Sequence, residues 1–491
     1  MTQTATRYET VIGVEVHAQL LTRSKMFCTC SNPTLESPPN SHVDPVCLGM
    51  PGVLPVINRE AVELTMMTGL ALNCEIAAEA KFDRKNYHYP DLMKGYQISE
   101  YDMPICLNGW LEIEVGGETK RVGITRVHLE EDTARLQHAT DSASGEPYSL
   151  VDVNRSGVPL MEIVSEPDIR SAEEARAYLQ KLRQVLRYIG ASRANMDEGN
   201  MRCEPNVSIR LPGEGFGQKV ELKNINSFKH AYDAIKFEER RQAELLDSGG
   251  KVVQETRGWR EDSGQAVPQR TKEFAEDYRY FPEPDLPPLV ISREWVERVR
   301  ARMPELPDAR CARFEAQYGL SPYDAGVLTE SRQRADFFEE AVAAGGGSTE
   351  RAKTVANWVT GDFARLLNAA NVEVHGSLVT PEALSALIGL QEERVISGKT
   401  AKAVFEVMFE TGKAPKEIVA EQGLTQIQST DEVAASVEKV IEENPAAVAD
   451  FRGGKDEAIK FLVGQVMRET RGRARPEVVT ELLREKLAER P

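Results

Sequence analysis

Apolar and polar residues alternate in segment after segment over roughly the first 290 residues. In VIGVEVHAQL (11–20), Ile12, Val14, Val16, Ala18 and Leu20 fall on one side of a strand. Glu15, His17 and Gln19 fall on the other. The same period recurs in GWLEIEV (109–115), RVGITRVHL (121–129), SLVDVN (149–154), RCEPNVSIRL (202–211) and KVELKN (219–224). Gly116–Gly117 and PGEGFG (212–217) punctuate them as hairpin turns.

Two helices interrupt these strands. One opens at Ser171, with Glu174 three residues on, a capping-box pattern. Tyr178, Leu179, Leu182, Val185, Leu186 and Ile189 form its apolar face, and Gly190 stops it. The other runs from Ser227 to Gly249–Gly250. Strands with a few helices in non-alternating order predict an α+β body on antiparallel sheets, not a doubly wound fold. The proline-dense YFPEPDLPPLVI (280–291) closes that body, and the period then becomes helical. AAGGGST (343–349) lacks the Lys-Ser/Thr of a phosphate loop and reads as a helix–helix linker. Three blocks follow: an α+β body over 1–292, a helical domain over 293–411 and a small helical tail over 412–491.

Composition narrows the classes. A chain of 491 residues, 41% hydrophobic and 28% charged, is that of an ordinary globular protein. No apolar run is long enough to span a membrane, and the N-terminus lacks the apolar core of a leader. Seven cysteines, an odd number, predict thiols in the cytoplasm, not a disulfide framework. The net charge of −17 excludes a general nucleic-acid binder, so any such contact is local. Arg468, Arg471, Arg473 and Arg475, against only Glu469, form a basic patch near the C-terminus.

The candidate chemistry lies on the polar faces of the strands. Alternation groups Arg126, His128 and Glu130; Asp152 and Asn154; Arg202, Glu204, Asn206 and Ser208; and Glu221 with Lys223. Any one of these taken alone is a solvated sheet face. Their recurrence, strand after strand, predicts the floor of a polar cleft. Carboxylates and an imidazole beside Arg and Lys suit a hard divalent cation with a phosphorylated ligand. No Walker loop, GxSxG or HExxH competes with that chemistry. KFDRKNYHYPDLMKGYQ (81–97), with Arg84, Lys85, Lys94 and three tyrosines, predicts a loop over a nucleotide. Cys28, Cys30 and Cys47 supply three of the four ligands of a structural zinc, with His42 or Asp44 available as the fourth.

YETVIGVEVHAQLLTRSKMF, ITRVHLEED, VDVNRSGVPLMEIVSEPD, MDEGNMRCEPNVSIR and DYRYFPEPDLPPL closely resemble the B subunits of tRNA-dependent amidotransferases, the GatB family. GKDEAIKFLVGQVMRETRGRARPEVV resembles that family's terminal module, shared with YqeY proteins. The resemblance implies a cradle-shaped body similar in fold to glutamine synthetase. It implies a heterotrimer with a GatA-type glutaminase subunit and a small GatC-type subunit. It implies ATP and Mg²⁺ as cofactors, used to phosphorylate the side-chain carboxylate of Glu or Asp carried on a misacylated tRNA. Ammonia from the glutaminase then displaces the phosphate.

Carried over, the resemblance makes Glu15, His17 and Glu130 or Glu131 catalytic and, with Glu162, ligands of Mg²⁺. It points Lys85, Asn86, Tyr87, Arg202, Asn206 and Lys223 at nucleotide and phosphate. Cys28, Cys30 and Cys47 correspond to its zinc site, with Asp44 where some relatives carry a fourth Cys. The helical domain and tail are implied to hold tRNA, without a membrane. Simple alternation favours Glu130 beside His128; for Glu131 to be the ligand, the strand must bend or end there. No large insertion follows DYRYFPEPDLPPL, which favours the bacterial type over the archaeal GatE. Two other classes compete. A non-catalytic tRNA scaffold has no use for carboxylates facing an imidazole, and a ligase of small molecules has none for the Arg-bearing tail.

Overall fold

Strand β1 (Glu9–Gln19) is the spine of the structure, a computed structural model that describes residues 7–32, 36–271, 278–427, 430–470 and 472–489. Residues 1–6, Asp277 and Arg471, which the sequence patterns include, lie outside the described residues. The chain divides into two compact units at Leu306/Pro307.

In the first unit β1 is followed by β2 (Glu75–Ile76), β3 (Glu79–Ala80), β4 (Phe82–Asn86), β5 (Tyr96–Glu100), β6 (Cys106–Val115) and β7 (Glu118–Glu131). Next come β8 (Arg135–Thr140), β9 (Pro147–Asp152), β10 (Pro159–Ser165), β11 (Met201–Arg210) and β12 (Val220–Lys223). The last are β13 (Glu255–Arg260), β14 (Gln265–Thr271), β15 (Phe281–Pro282) and β16 (Leu289–Val290). One sheet runs β14-β13-β12-β11-β1-β10-β7-β5-β4-β15, with β6 also on β7 and β2 on β6. Gly116 (φ +63°) and Gly117 (φ +85°) turn β6 into β7, the left-handed pair a two-residue hairpin requires.

The sheet is mixed, which corrects the purely antiparallel reading. β12 and β13 pair in parallel, joined by the crossover helix α3 below. The sequence pattern marks that helix but no strand after it.

Among the described residues this unit has four α-helices: α1 (Arg59–Ala71), α2 (Ala172–Tyr188), α3 (Phe228–Asp247) and α4 (Arg293–Arg300). Ser171 caps α2 by accepting the Glu174 N–H at 3.1 Å. Only half of a capping box forms, because the Glu174 carboxylate turns outward to Lys120 Nζ (2.7 Å) and the Arg170 N–H (2.8 Å). The apolar face of α2 is buried throughout and packs in one core with Val14, Val16 and Ala18 of β1, which are 0–1% exposed. Val14 and Val16 each contribute about 1.5–3 kcal/mol and Ala18 less, so the core sets the register of β1. Helix α4, beyond the proline-dense segment, also packs there through Trp295, Val296 and Val299.

The second unit is helical, from Pro307–Tyr318 to Pro476–Glu489. It holds two separate cores. Phe314, Phe338, Phe363, Phe405 and Ile418 belong to one; Val433, Val437, Leu462, Val466 and Leu483 belong to the other. Helix Pro415–Glu421 goes with the former through Ile418 and Val419. No described helix is long and apolar enough to cross a membrane.

Candidate active site

The polar face of β1 meets its neighbours in one lateral row. His17 stands opposite Glu162 of β10 and Arg202 of β11, and Glu162 stands opposite His128 of β7. His17 Nε2 lies 3.6 Å from Glu130 Oε1 and 3.6 Å from Glu162 Oε2, and His128 Nε2 lies 3.1 Å from the same Glu162 oxygen. His17, Glu130 and Glu162 each offer a ligand atom within 4.8 Å of the others. Burial alone pushes the Glu162 carboxyl up, but His128 and His17 outweigh it and hold the group well below the usual carboxylate range. His17 Nδ1 is buried without a hydrogen-bond partner. One imidazole and two carboxylates form a donor set suited to a divalent cation.

Glu15 is not part of that set. It joins Glu204 and Glu221 in a second carboxylate cluster, also within 4.8 Å, on the β11–β12 side. Asn206 Nδ2 donates to Glu15 Oε1 at 2.9 Å, and Lys223 Nζ to Glu204 Oε2 at 2.8 Å. Two of the predicted phosphate contacts therefore neutralise and orient carboxylates here.

Glu130 and Glu131 diverge, as alternation requires. Glu131 Oε1 turns to the other face, accepting the Ile98 N–H at 3.0 Å and lying 2.6 Å from Lys94 Nζ. Glu130 is the one that faces His17.

Lys85 Nζ sits 5.1 Å from the Tyr278 ring and 6.0 Å from the Tyr87 ring. Burial disfavours its charge, but Glu130, Tyr280, Tyr87 and Glu162 outweigh this and raise its pKa. Asn86 is spent on backbone, donating to the carbonyls of Arg279 (3.0 Å) and Tyr278 (3.4 Å). Tyr87 packs edge-on against Tyr278.

Asp132 closes the EED run and carries no assigned role in the sequence pattern. Its Oδ2 accepts from Arg202 Nη2 (2.7 Å) and from Gln19 Nε2 (2.8 Å), with Arg155 Nε at 3.7 Å. Burial pushes its carboxyl up, yet Arg202 and Arg155 bring it down to about 2. Asp132 lies past the end of β7, where alternation carries no information. Asp152 and Asn154, by contrast, leave the predicted floor. The β8–β9 hairpin forms its own sheet, and these side chains accept the N–H groups of Asn40 and His42.

Cys28, Cys30, Asp44 and Cys47 bring four ligand atoms within 4.8 Å of one another. His42 is outside the group, its Nδ1 2.8 Å from Ser31 Oγ. The fully buried Lys25 reaches Cys47 Sγ at 3.5 Å. A hydrogen bond from Cys28, aided by the Asp44 backbone and Lys25 against the cost of burial, brings the Cys47 thiol down to about 6. The hydrogen bond to Cys47 and burial push the Cys28 thiol up, and burial pushes Cys30 up to about 11, so what marks the cluster is the convergence of its four ligand atoms, with Cys47 the one depressed thiol among them.

Fold and site together define a class: residues 10–297 match the GatB/GatE catalytic domain, and residues 336–487 match the GatB domain. Similar proteins span the whole chain. One from Carboxydothermus hydrogenoformans is 56% identical over 482 residues, covering 98% of this chain and 99% of the relative. One from Dehalococcoides mccartyi is 53% identical over 491 residues, covering 99% and 100%. One from Thermomicrobium roseum is 55% identical over 481 residues, covering 98% and 99%. Each is named as the B subunit of an aspartyl/glutamyl-tRNA(Asn/Gln) amidotransferase. The chain belongs to the GatB family.

Proposed function

We propose that this chain is the B subunit of a tRNA-dependent amidotransferase, in the cytoplasm, converting Glu-tRNA(Gln), Asp-tRNA(Asn) or both to the amides. The reading is carried by one observation: His17, Glu130 and Glu162 converge on the sheet beside Arg202 and Lys85. ATP supplies the phosphoryl group. A carboxylate oxygen of the aminoacyl side chain attacks the γ-phosphorus and ADP leaves; ammonia then attacks the carbonyl carbon and phosphate departs. Little proton transfer is needed in the first step, so positioning and charge neutralisation dominate.

In this reading His17, Glu130 and Glu162 would hold Mg²⁺, which would supply positive charge to the phosphate oxygens. Arg202, tethered from behind by Asp132, and the ammonium of Lys85 add positive charge at the phosphoryl group. Glu15, Glu204 and Glu221 keep Lys223 and Asn206 in place. Cys28, Cys30, Cys47 and Asp44 hold a structural Zn²⁺. The acyl-phosphate logic parallels that of glutamine synthetase. Ammonia arrives from a GatA-type glutaminase subunit, with a GatC-type subunit completing the heterotrimer, and the tail arginines meet tRNA phosphates.

The test uses the assembled complex with γ-labelled ATP and misacylated tRNA, trapping the acyl phosphate with hydroxylamine. Glu162→Gln should lose label transfer. Unchanged transfer in that variant rules the cation site out.

A further inference from the structure

Strand β7 takes two partners in succession along one edge. β6 pairs with it from Val115↔Glu118 to Cys106↔Val127, whereas β5 meets it only at Ser99↔Glu130. The rungs at His128 and Leu129 fall between the two and have no strand partner on that edge among the described residues.

Glu100, the last residue of β5, fills the gap. Its Oε2 accepts the Leu129 N–H at 3.0 Å and the Ile105 N–H at 3.3 Å. Gln97, three residues earlier, clamps the other side of the lone rung by donating to the Glu131 carbonyl at 2.7 Å. Two side chains thus do what a continuous strand would do.

The arrangement is costly in a way that ordinary strand packing is not. Glu100 is 2% exposed, no cation pairs with it among the described residues, and its Oε1 has no hydrogen-bond partner. Burial pushes its carboxyl up to about 8. Leaving a buried polar oxygen without a partner costs free energy, and the two N–H groups that Oε2 accepts offset that cost. The two residues flanking Leu129 are His128 and Glu130, both aimed into the candidate cation site.

We propose that Glu100 is a positioning residue for His128 and Glu130: by bridging Leu129 and Ile105 it fixes the β7 backbone where β5 and β6 part. The proposal rests on the cation site formed by His17, Glu130 and Glu162. Side chains that orient a ligand set without touching the ion are typically worth ~10–100-fold in metal affinity.

The experiment measures Mn²⁺ affinity by electron paramagnetic resonance on the full chain in its assembled complex. Glu100→Ala, which deletes the acceptor, and Glu100→Asp, which withdraws it, should each bind Mn²⁺ at least ~10-fold more weakly. Glu100→Gln keeps an acceptor oxygen and should stay close to wild type, a rescue that a general loosening of the fold does not produce. Wild-type affinity in the Ala and Asp variants overturns the proposal, as does a Gln variant as weak as Ala. If Ala fails to assemble, the Asp and Gln pair decides. Glu162→Gln should abolish Mn²⁺ binding; if it does not, the cation site is wrong and the positioning role falls with it.

Discussion

Arg202 Nη2 meets Asp132 Oδ2 at 2.7 Å, the arginine side chain 39% exposed and the aspartate 2%. The cation is thus held from behind and open in front, the arrangement that presents an N–H fork to a phosphate. Asp132→Asn should raise the KM for ATP roughly tenfold with a smaller change in kcat, at about 2 kcal/mol of stability. Steady-state kinetics and urea melts read the two effects. A drop in kcat at constant KM contradicts the tethering.

The same carboxyl makes an acid-stability prediction. Its pKa falls from an ordinary 3.8 to about 2 in the fold. A depressed acid stabilises the native state above its unfolded pKa and loses that contribution as pH falls through its folded value, here roughly 2 kcal/mol. The stability gap between wild type and Asp132→Asn should therefore be full at pH 5 and shrink toward pH 2. A gap independent of pH over that window assigns the stabilisation elsewhere.

Adjacent glutamates should behave differently. Glu130→Gln should reduce phosphoryl transfer by on the order of 10²-fold, since Glu130 faces His17. Glu131→Gln should leave transfer within a few-fold of wild type, because its carboxylate binds Lys94 and the Ile98 N–H on the opposite face. Equal losses in the two variants would show that the strand does not present them as described.

Zinc content is measurable directly. Purified protein should carry about one Zn²⁺ per chain, removed by Cys47→Ser. Asp44→Cys should tighten binding in a chelator competition, because thiolate replaces a carboxylate at the fourth position. Metal-free wild-type protein eliminates the site.

Removing the tail should weaken tRNA binding more than ATP turnover. The cut belongs after Gln426, not near 412, since Ile418 and Val419 fill the preceding core while Ile427 packs with the tail. Undiminished tRNA affinity in that truncation frees the Arg468, Arg473 and Arg475 patch of any role.

The site was legible wherever a strand alternates. The faces of Glu15, His17, Glu130, Arg202 and Glu204 follow from a period of two, and hydrophobic neighbours enforce it. Pairing is not a local property, so nothing in the linear order says that Glu15 joins Glu204 and Glu221 while His17 joins Glu130 and Glu162. Asp132 and Glu100 act from positions where a strand ends, and there alternation stops predicting direction. The parallel β12–β13 pair is hidden for a similar reason: ETRGWR in Glu255–Arg260 carries one apolar residue, Trp259, and no alternation, and the pairing comes from the crossover helix.

One rung carries a further consequence. His128, Glu162, His17 and Arg202 face each other across four consecutive strands, at about 4.8 Å per step. On the reverse of the same ribbon, Val14, Val16 and Ala18 are core. Inserting or deleting one residue before His17 in β1 would swap the two sides at once. Hydrophobic packing thus proofreads the chemistry: a one-residue slip in this strand costs the core together with the site, so its expected outcome is a folding failure and not a folded, inactive enzyme.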